Sequence, residues 1–280
     1  MTFPVPQPGI VAYDATVTDS ELDIEAMLAT YSGGASAYRD VWAPVLLRFA
    51  RGLVDRMSLA GAGRILEFGC GTGLLLPALA DAAPAAQIVG GDRTGDMLAL
   101  APASFDRVIC DAMSMPFPSA TFDAVLMPFM LFHVPSDTAA IAEVARILRP
   151  SGAIGLAVWG GRRDPRAFEV WGECFPPPPA TIPPRSDHTR MDTPDKVRRL
   201  MERGSLTVQD IWVEPLAHVW SPDGFIRLQL EVFPDEPLGT GGAINADQLH
   251  AVRERLRALP AEDMTDNCEV IRAIATAPGP

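Results

Sequence analysis

Glu67, Gly69, Gly71 and Gly73 stand at alternate positions, following the apolar residues Ile65 and Leu66. An apolar run of this length, Arg64 to Phe68, reads as a short buried strand. Glycines directly after it permit a tight turn and let backbone approach a ligand closely. Leu74, Leu75, Leu76, Ala78 and Leu79 then read as a buried helix despite Pro77. Strand, glycine turn and helix form the nucleotide-binding geometry of open α/β sheets. The dinucleotide fingerprint Gly-x-Gly-x-x-Gly is excluded, because position 74 is Leu. Two further segments, Gln87 to Asp92 and Asp106 to Asp111, read as strands that end in a carboxylate.

Glu67-x-Gly69-x-Gly71-x-Gly73 resembles motif I of the class I S-adenosylmethionine-dependent methyltransferases. Gly95-Asp96-Met97-Leu98 resembles the family's S-x-x-M-L helix start, with Gly95 an oddity. The run from Met115 to Val125 is similar to its L-P-F-P-D-G-S-F-D-V-V segment, and Ile147 to Ala153 to its L-K-P-G-G turn. These motifs span residues 64 to 159 in the family's order. They look most like the branch with the ubiquinone, menaquinone and many natural-product methyltransferases.

The resemblance implies a Rossmann-like fold, with a mostly parallel seven-stranded sheet and helices on both faces. It implies S-adenosyl-L-methionine as cofactor and S-adenosyl-L-homocysteine as product. The cofactor-binding set becomes Glu67, Gly69, Cys70, Gly71, Gly73, Asp92, Arg93, Met97, Asp111, Ala112, Met113 and Phe129. Asp92 would accept both ribose hydroxyl hydrogens, and Asp111 would contact the adenine amino group. Met113 could cover the adenine or simply pack in the core. Phe129 falls where the family places the methyl group. His133 aligns with a frequent family histidine and is the catalytic candidate, as a general base for a hydroxyl acceptor; a structural role at the strand end is its alternative. Tyr38 and Trp42, on a leader that in this family folds over the cofactor, join Phe132 and Trp159 as substrate-pocket candidates. His188, His218 and His250 read as solvated loop histidines.

Elements to position these residues follow from pattern. Residues 1–18, with Pro4, Pro6 and Pro8, are expected to be irregular, and residues 19–31 to form a short helix. Asp40 to Met57 carries one apolar face at three-and-four spacing, with Asp40 able to cap its start. Strands are expected at 64–68, 86–91, 106–110, 122–127 and 152–159. A helix from Asp137 to Leu148 has Ser136 as cap and Pro150 as stop. Residues 160–190 contain Pro176 to Pro179 and read as a stiff linker rather than a helix. A helix at Asp192 to Arg203, a strand near Leu206 to Val213, a helical insertion over 222–260 and a final strand at Cys268 to Thr276 complete the chain. This makes one structural domain: a helical leader or cap (1–60), a cofactor-binding core (61–160), and completion of the sheet with lid insertions at 160–190 and 222–260 (161–280).

The 280 residues are 48% hydrophobic, ample for a core, and carry a net charge of −12. That charge argues against nucleic acid and against simple attachment to anionic lipid. No membrane span and no secretion signal is visible. The four cysteines form no Cys-x-x-Cys pair, so no metal is expected, and they suit a reducing cytoplasm.

A sulfonium methyl is already electrophilic, so such a protein mainly aligns the nucleophile and excludes water. The motifs therefore leave the acceptor open. Phe129, Met130, Phe132, Trp159, Trp171, Phe175 and Phe225 suggest an apolar pocket for a hydrophobic small molecule, natural-product or quinone-like, methylated on oxygen or carbon. Two alternatives stand beside this: a cyclase or isomerase that retains the cofactor, and a non-catalytic cofactor-binding protein.

Overall fold

The computed structural model describes residues 10–12, 24–175, 186–232 and 244–279. Its strands are β1 (Ile10–Ala12), β2 (Arg64–Phe68), β3 (Gln87–Asp92), β4 (Asp106–Ile109), β5 (Phe122–Pro128), β6 (Leu148–Arg163), β7 (Thr207–Val219) and β8 (Thr265–Thr276). They form one sheet in the order β1-β4-β3-β2-β5-β6-β8-β7. The first six in that order pair in parallel, and β8 runs antiparallel to both its neighbours. Seven of the strands are the expected set. The short β1 adds an eighth at the edge, where Ile10 to Ala12 pair with Arg107 to Ile109. That part of residues 1–18 is thus a strand and not irregular, consistent with the β preference of Ile and Val; the prolines before it lie outside the described residues.

Strand β2 is central because Ile65 and Leu66 are both fully buried, one on each face. Leu66 pairs with Val89 on one side and Val125 on the other. The chain order therefore reverses at β2, and ligands of open α/β sheets bind at the carboxyl end of such a switch point. Nine α-helices lie among the described residues: α1 (Ile24–Ala37), α2 (Ala43–Val54), α3 (Leu76–Ala82), α4 (Gly95–Leu100), α5 (Asp137–Ile147), α6 (Arg166–Cys174), α7 (Pro194–Arg203), α8 (Pro222–Arg227) and α9 (Ala246–Arg257). Leu53 of α2 and Leu76 and Leu79 of α3 pack with Ile65, Ile88 and Leu126. Ile141, Val144 and Ile147 of α5 belong with Leu66 and Val125 to the core of the other face. The Ser136 hydroxyl accepts the Ala139 N–H and caps α5 as expected. No helix among the described residues is long and apolar enough to cross a membrane.

Two expectations are corrected. Asp40 does not start a helix. Helix runs on from Ile24 through a π-helical turn, Tyr38–Trp42, into α2, and Asp40 lies inside that turn. Residues 160–190 are not wholly linker: α6 forms there, because Ala167, Val170 and Trp171 bury one face at three-and-four spacing. Pro176 to Pro179, Pro183 and Pro184, and the glycines at 239, 241 and 242, lie outside the described residues.

Candidate active site

The glycine turn leaves the carboxyl end of β2 between β3 and β5. Gly69 has φ of 71°, and a Cβ there would lie 2.5 Å from the Met130 Cβ, so the position needs glycine twice over. Gly71, with φ of 53°, differs: the nearest atom to a Cβ there would be Cε1 of Tyr38 at 3.9 Å. Gly71 thus faces open space beneath the Tyr38 ring, where backbone can approach a ligand. Gly73 packs behind the turn against Ala101 and Pro102.

Three carboxylates ring this turn. Asp92 accepts the Gly71 N–H at 2.8 Å and the Thr94 N–H at 2.8 Å. Burial raises its pKa, and these donated bonds pull the other way. Glu67 is 3% exposed, and its Oε2 is buried with no hydrogen-bond partner among the described residues. Burial, then the nearby Asp92 charge, holds its carboxyl well above the usual range. Asp111 accepts the Met113 N–H at 2.8 Å, and its other oxygen lies 3.3 Å from the Arg93 guanidinium. Burial and the same carboxylates push the Cys70 thiol up, so it stays protonated and unreactive.

A cavity of about 90 Å³ opens among Gly69, Gly71, Asp92, Arg93, Met97, Asp111 and Ala112. Met113 falls outside it, packed on the core, and contributes only its backbone N–H to Asp111. A second cavity, of about 180 Å³, is walled by Trp42, Phe132, Trp159 and Phe168. Met27, Tyr31, Tyr38, Phe129 and His133 line both cavities and form the neck between them. The four substrate-pocket candidates, Tyr38, Trp42, Phe132 and Trp159, thus line one cavity.

Phe129 is the strained member of that neck. Its φ is 58°, rare for a bulky residue. Its N–H donates to Ala157 O at 2.8 Å, and its ring leans on Trp159 at 4.7 Å. Trp42 stacks on Trp159 and on Trp220, with interplanar angles of 24° and 27°. His133 sits in the 3-10 turn Leu131–His133, and its Nε2 lies 3.0 Å from the Tyr31 hydroxyl. Above the neck, the phenol of Tyr38 is held neutral by burial, then by the Asp92 and Glu67 charges.

Sequence reasoning missed Tyr31, Met27, Thr94, Phe168 and Gln229. Tyr31 carried a signal, since it stands seven residues, or two helical turns, before Tyr38. His188 and His218 correct the expectation of solvated loop residues. His188 lines the larger cavity and packs on Phe132 at 4.3 Å. Its loop is tied down where the Asp187 N–H reaches Phe132 O and the Arg190 guanidinium reaches Val134 O. His218 meets the Trp220 ring, and burial lowers its pKa against the pull of Asp266. His250 is exposed on α9. Trp171, Phe175 and Phe225 pack on one another and on Phe168 and serve as core, not wall.

The carboxylate ring fits S-adenosylmethionine. An unpartnered buried Glu67 oxygen beside Asp92 suits a cationic methionyl end, and the bare Gly71 backbone gives it room. Comparison with known proteins agrees. Residues 66–156 match a family described as a methyltransferase domain. The ubiquinone/menaquinone biosynthesis C-methyltransferase UbiE of Desulfotalea psychrophila is 36% identical over 110 residues, which make up 38% of this chain and 45% of that protein. The O-methyltransferase rstn1 of Aspergillus nomiae is 28% identical over 144 residues, 47% of this chain and 64% of that protein. The chain spans about half the length of the curated relatives it matches. In fold it is similar to phosphoethanolamine N-methyltransferase 2 of Haemonchus contortus, solved with S-adenosyl-L-methionine. The TM-score is 0.54 over 93% of this chain and 60% of that one, at 17% identity. Residues 66–156 thus match a methyltransferase domain, are similar in sequence to ubiquinone and menaquinone methyltransferases, and share the fold of solved methyltransferases.

Proposed function

We propose that the chain is an S-adenosylmethionine-dependent methyltransferase acting in the cytoplasm on a hydrophobic small molecule, natural-product or quinone-like, on oxygen or carbon. The observation that carries this reading is the neck. Two cavities, one walled by carboxylates and backbone and one by aromatic rings, share Met27, Tyr31, Tyr38, Phe129 and His133.

When bound, S-adenosylmethionine supplies an electrophilic methyl on sulfur. Asp92 would hold the ribose hydroxyls, Asp111 and Ala112 the adenine, and Glu67 with the Gly71 backbone the methionyl end. Phe129 and Tyr38 keep water from the neck, and Trp42 and Trp159 align a flat acceptor. For a hydroxyl acceptor, His133 takes the proton, with Tyr31 orienting its ring.

Methyl-labelled S-adenosylmethionine, incubated with the protein and a panel of phenols, naphthols and quinols, tests this. Label in the organic extract supports it. Conversion of an acceptor without label favours a cofactor-retaining cyclase. Absence of binding by calorimetry would overturn the cofactor assignment itself.

A further inference from the structure

Gln229 belongs to a second π-helical turn, Leu228–Val232, in the insertion after β7. It is 7% exposed and lines the larger cavity, and its carboxamide makes no hydrogen bond to another described residue. Such turns recur at functional sites. This one is fixed by backbone contact. A Cβ at Gly34 of α1 would lie 2.6 Å from Val232 O, so the leader seats directly on the turn with no side chain between. The backbone that carries the amide is therefore fixed on a cavity wall. The carboxamide opens onto the cavity, where a ligand that displaces water must replace the hydrogen bonds that water made.

The same cavity is lined by an aromatic wall, in which Trp42 and Trp159 stack on each other at 24° and Phe129 tilts against Trp159 by 43°. Flat π faces favour an aromatic ligand in offset stacking. We propose that Gln229 determines acceptor specificity: the acceptor is a planar hydroxylated arene that lies along Trp42 and Trp159. Its oxygen remote from the methylated position hydrogen-bonds the Gln229 carboxamide. This rests on the methyl-transfer reading above. An arene lacking the remote oxygen would stack equally well but leave Gln229 unpaired, and sites of this kind discriminate through that loss.

The test uses naphthalene-1,5-diol and 1-naphthol, titrated into protein saturated with S-adenosylhomocysteine and followed by quenching of the cavity tryptophans. The diol is expected to bind about tenfold more tightly than naphthol to the native protein, the worth of one net hydrogen bond. Gln229→Leu and Gln229→Met, which keep the volume, should remove that preference and leave naphthol affinity within about twofold. S-adenosylhomocysteine affinity and melting temperature, measured alongside, report whether each variant is folded. No preference in the native protein, a preference that survives both substitutions, or no binding of either arene while S-adenosylhomocysteine binds would overturn the assignment of Gln229. Loss of S-adenosylhomocysteine binding in the native protein would instead overturn the methyltransferase reading beneath it.

Discussion

The Tyr31 hydroxyl meets Nε2 of His133 at 3.0 Å, joining α1 to the turn after β5 across the neck between the two cavities. If this pair takes the proton of a hydroxyl acceptor, His133→Gln should slow the chemical step about 100-fold while cofactor affinity stays near normal. Tyr31→Phe should cost less, about tenfold, since the imidazole remains. Single-turnover rates on purified variants decide the matter. An unchanged rate with a lowered melting temperature would make the pair a structural clasp.

Glu67 and Asp92 make cofactor binding pH-dependent. Burial raises both carboxyls in the free protein, so they hold protons where ordinary carboxylates, with pKa near 4, have lost theirs. A cationic ligand favours the ionised forms. Affinity for S-adenosylmethionine should therefore rise as pH climbs through the raised range, with protons released on binding. Without ligand the sign reverses: the folded state binds more protons than the unfolded one, so this pair's contribution to stability falls as pH rises. Calorimetry in two buffers of different ionisation enthalpy measures the released protons, and proton uptake would refute the assignment. Asp92→Ala should weaken binding by about 3 kcal/mol, by leaving ligand hydroxyls without a charged partner.

Phe129 gives an unusual stability order. Truncation to Ala removes the ring packed on Trp159 and keeps the left-handed backbone, whereas Gly removes the same ring and sheds the strain. Phe129→Gly should therefore unfold at a higher temperature than Phe129→Ala, by about 1 kcal/mol of stability, with both below the native protein. The reverse order in thermal melts would show that the φ of 58° costs nothing.

Gly34→Ala probes the contact between leader and insertion. Its methyl would press on Val232 O and Glu231 O, at 2.6 and 2.8 Å, and both are backbone atoms with little room to yield. A loss of about 1–3 kcal/mol in stability is expected. Hydrogen exchange should quicken at residues 24–42 and 228–232 together. Exchange that changes in one segment alone would show that the two are not coupled.

The cofactor half of the site was legible because its chemistry is local. A five-residue apolar strand, the glycines and the following acids are neighbours in sequence as well as in space, and β2, β3 and β4 lie within two residues of their expected bounds. The acceptor half was less so. Trp42 and Trp159 were named from their segments, but Gln229 owes its burial to a π-helical turn that no apolar periodicity marks. His188 is brought in by backbone bonds and by Arg190, which leave no trace in composition. Helix α6 was hidden by the prolines after it. Its apolar stripe at Ala167, Val170 and Trp171 was present in the sequence and was outweighed by them.

The helix α1 is a party wall. Met27 and Tyr31 face both compartments, and the Ser32 hydroxyl bonds to Asp96 at the head of α4 on the cofactor side. Ordering that wall for one occupant leaves less of the entropic cost for the next. Cofactor and acceptor should accordingly bind with positive heterotropic cooperativity. Thermodynamic reciprocity then requires that whatever factor the cofactor adds to acceptor affinity, the acceptor returns to the cofactor.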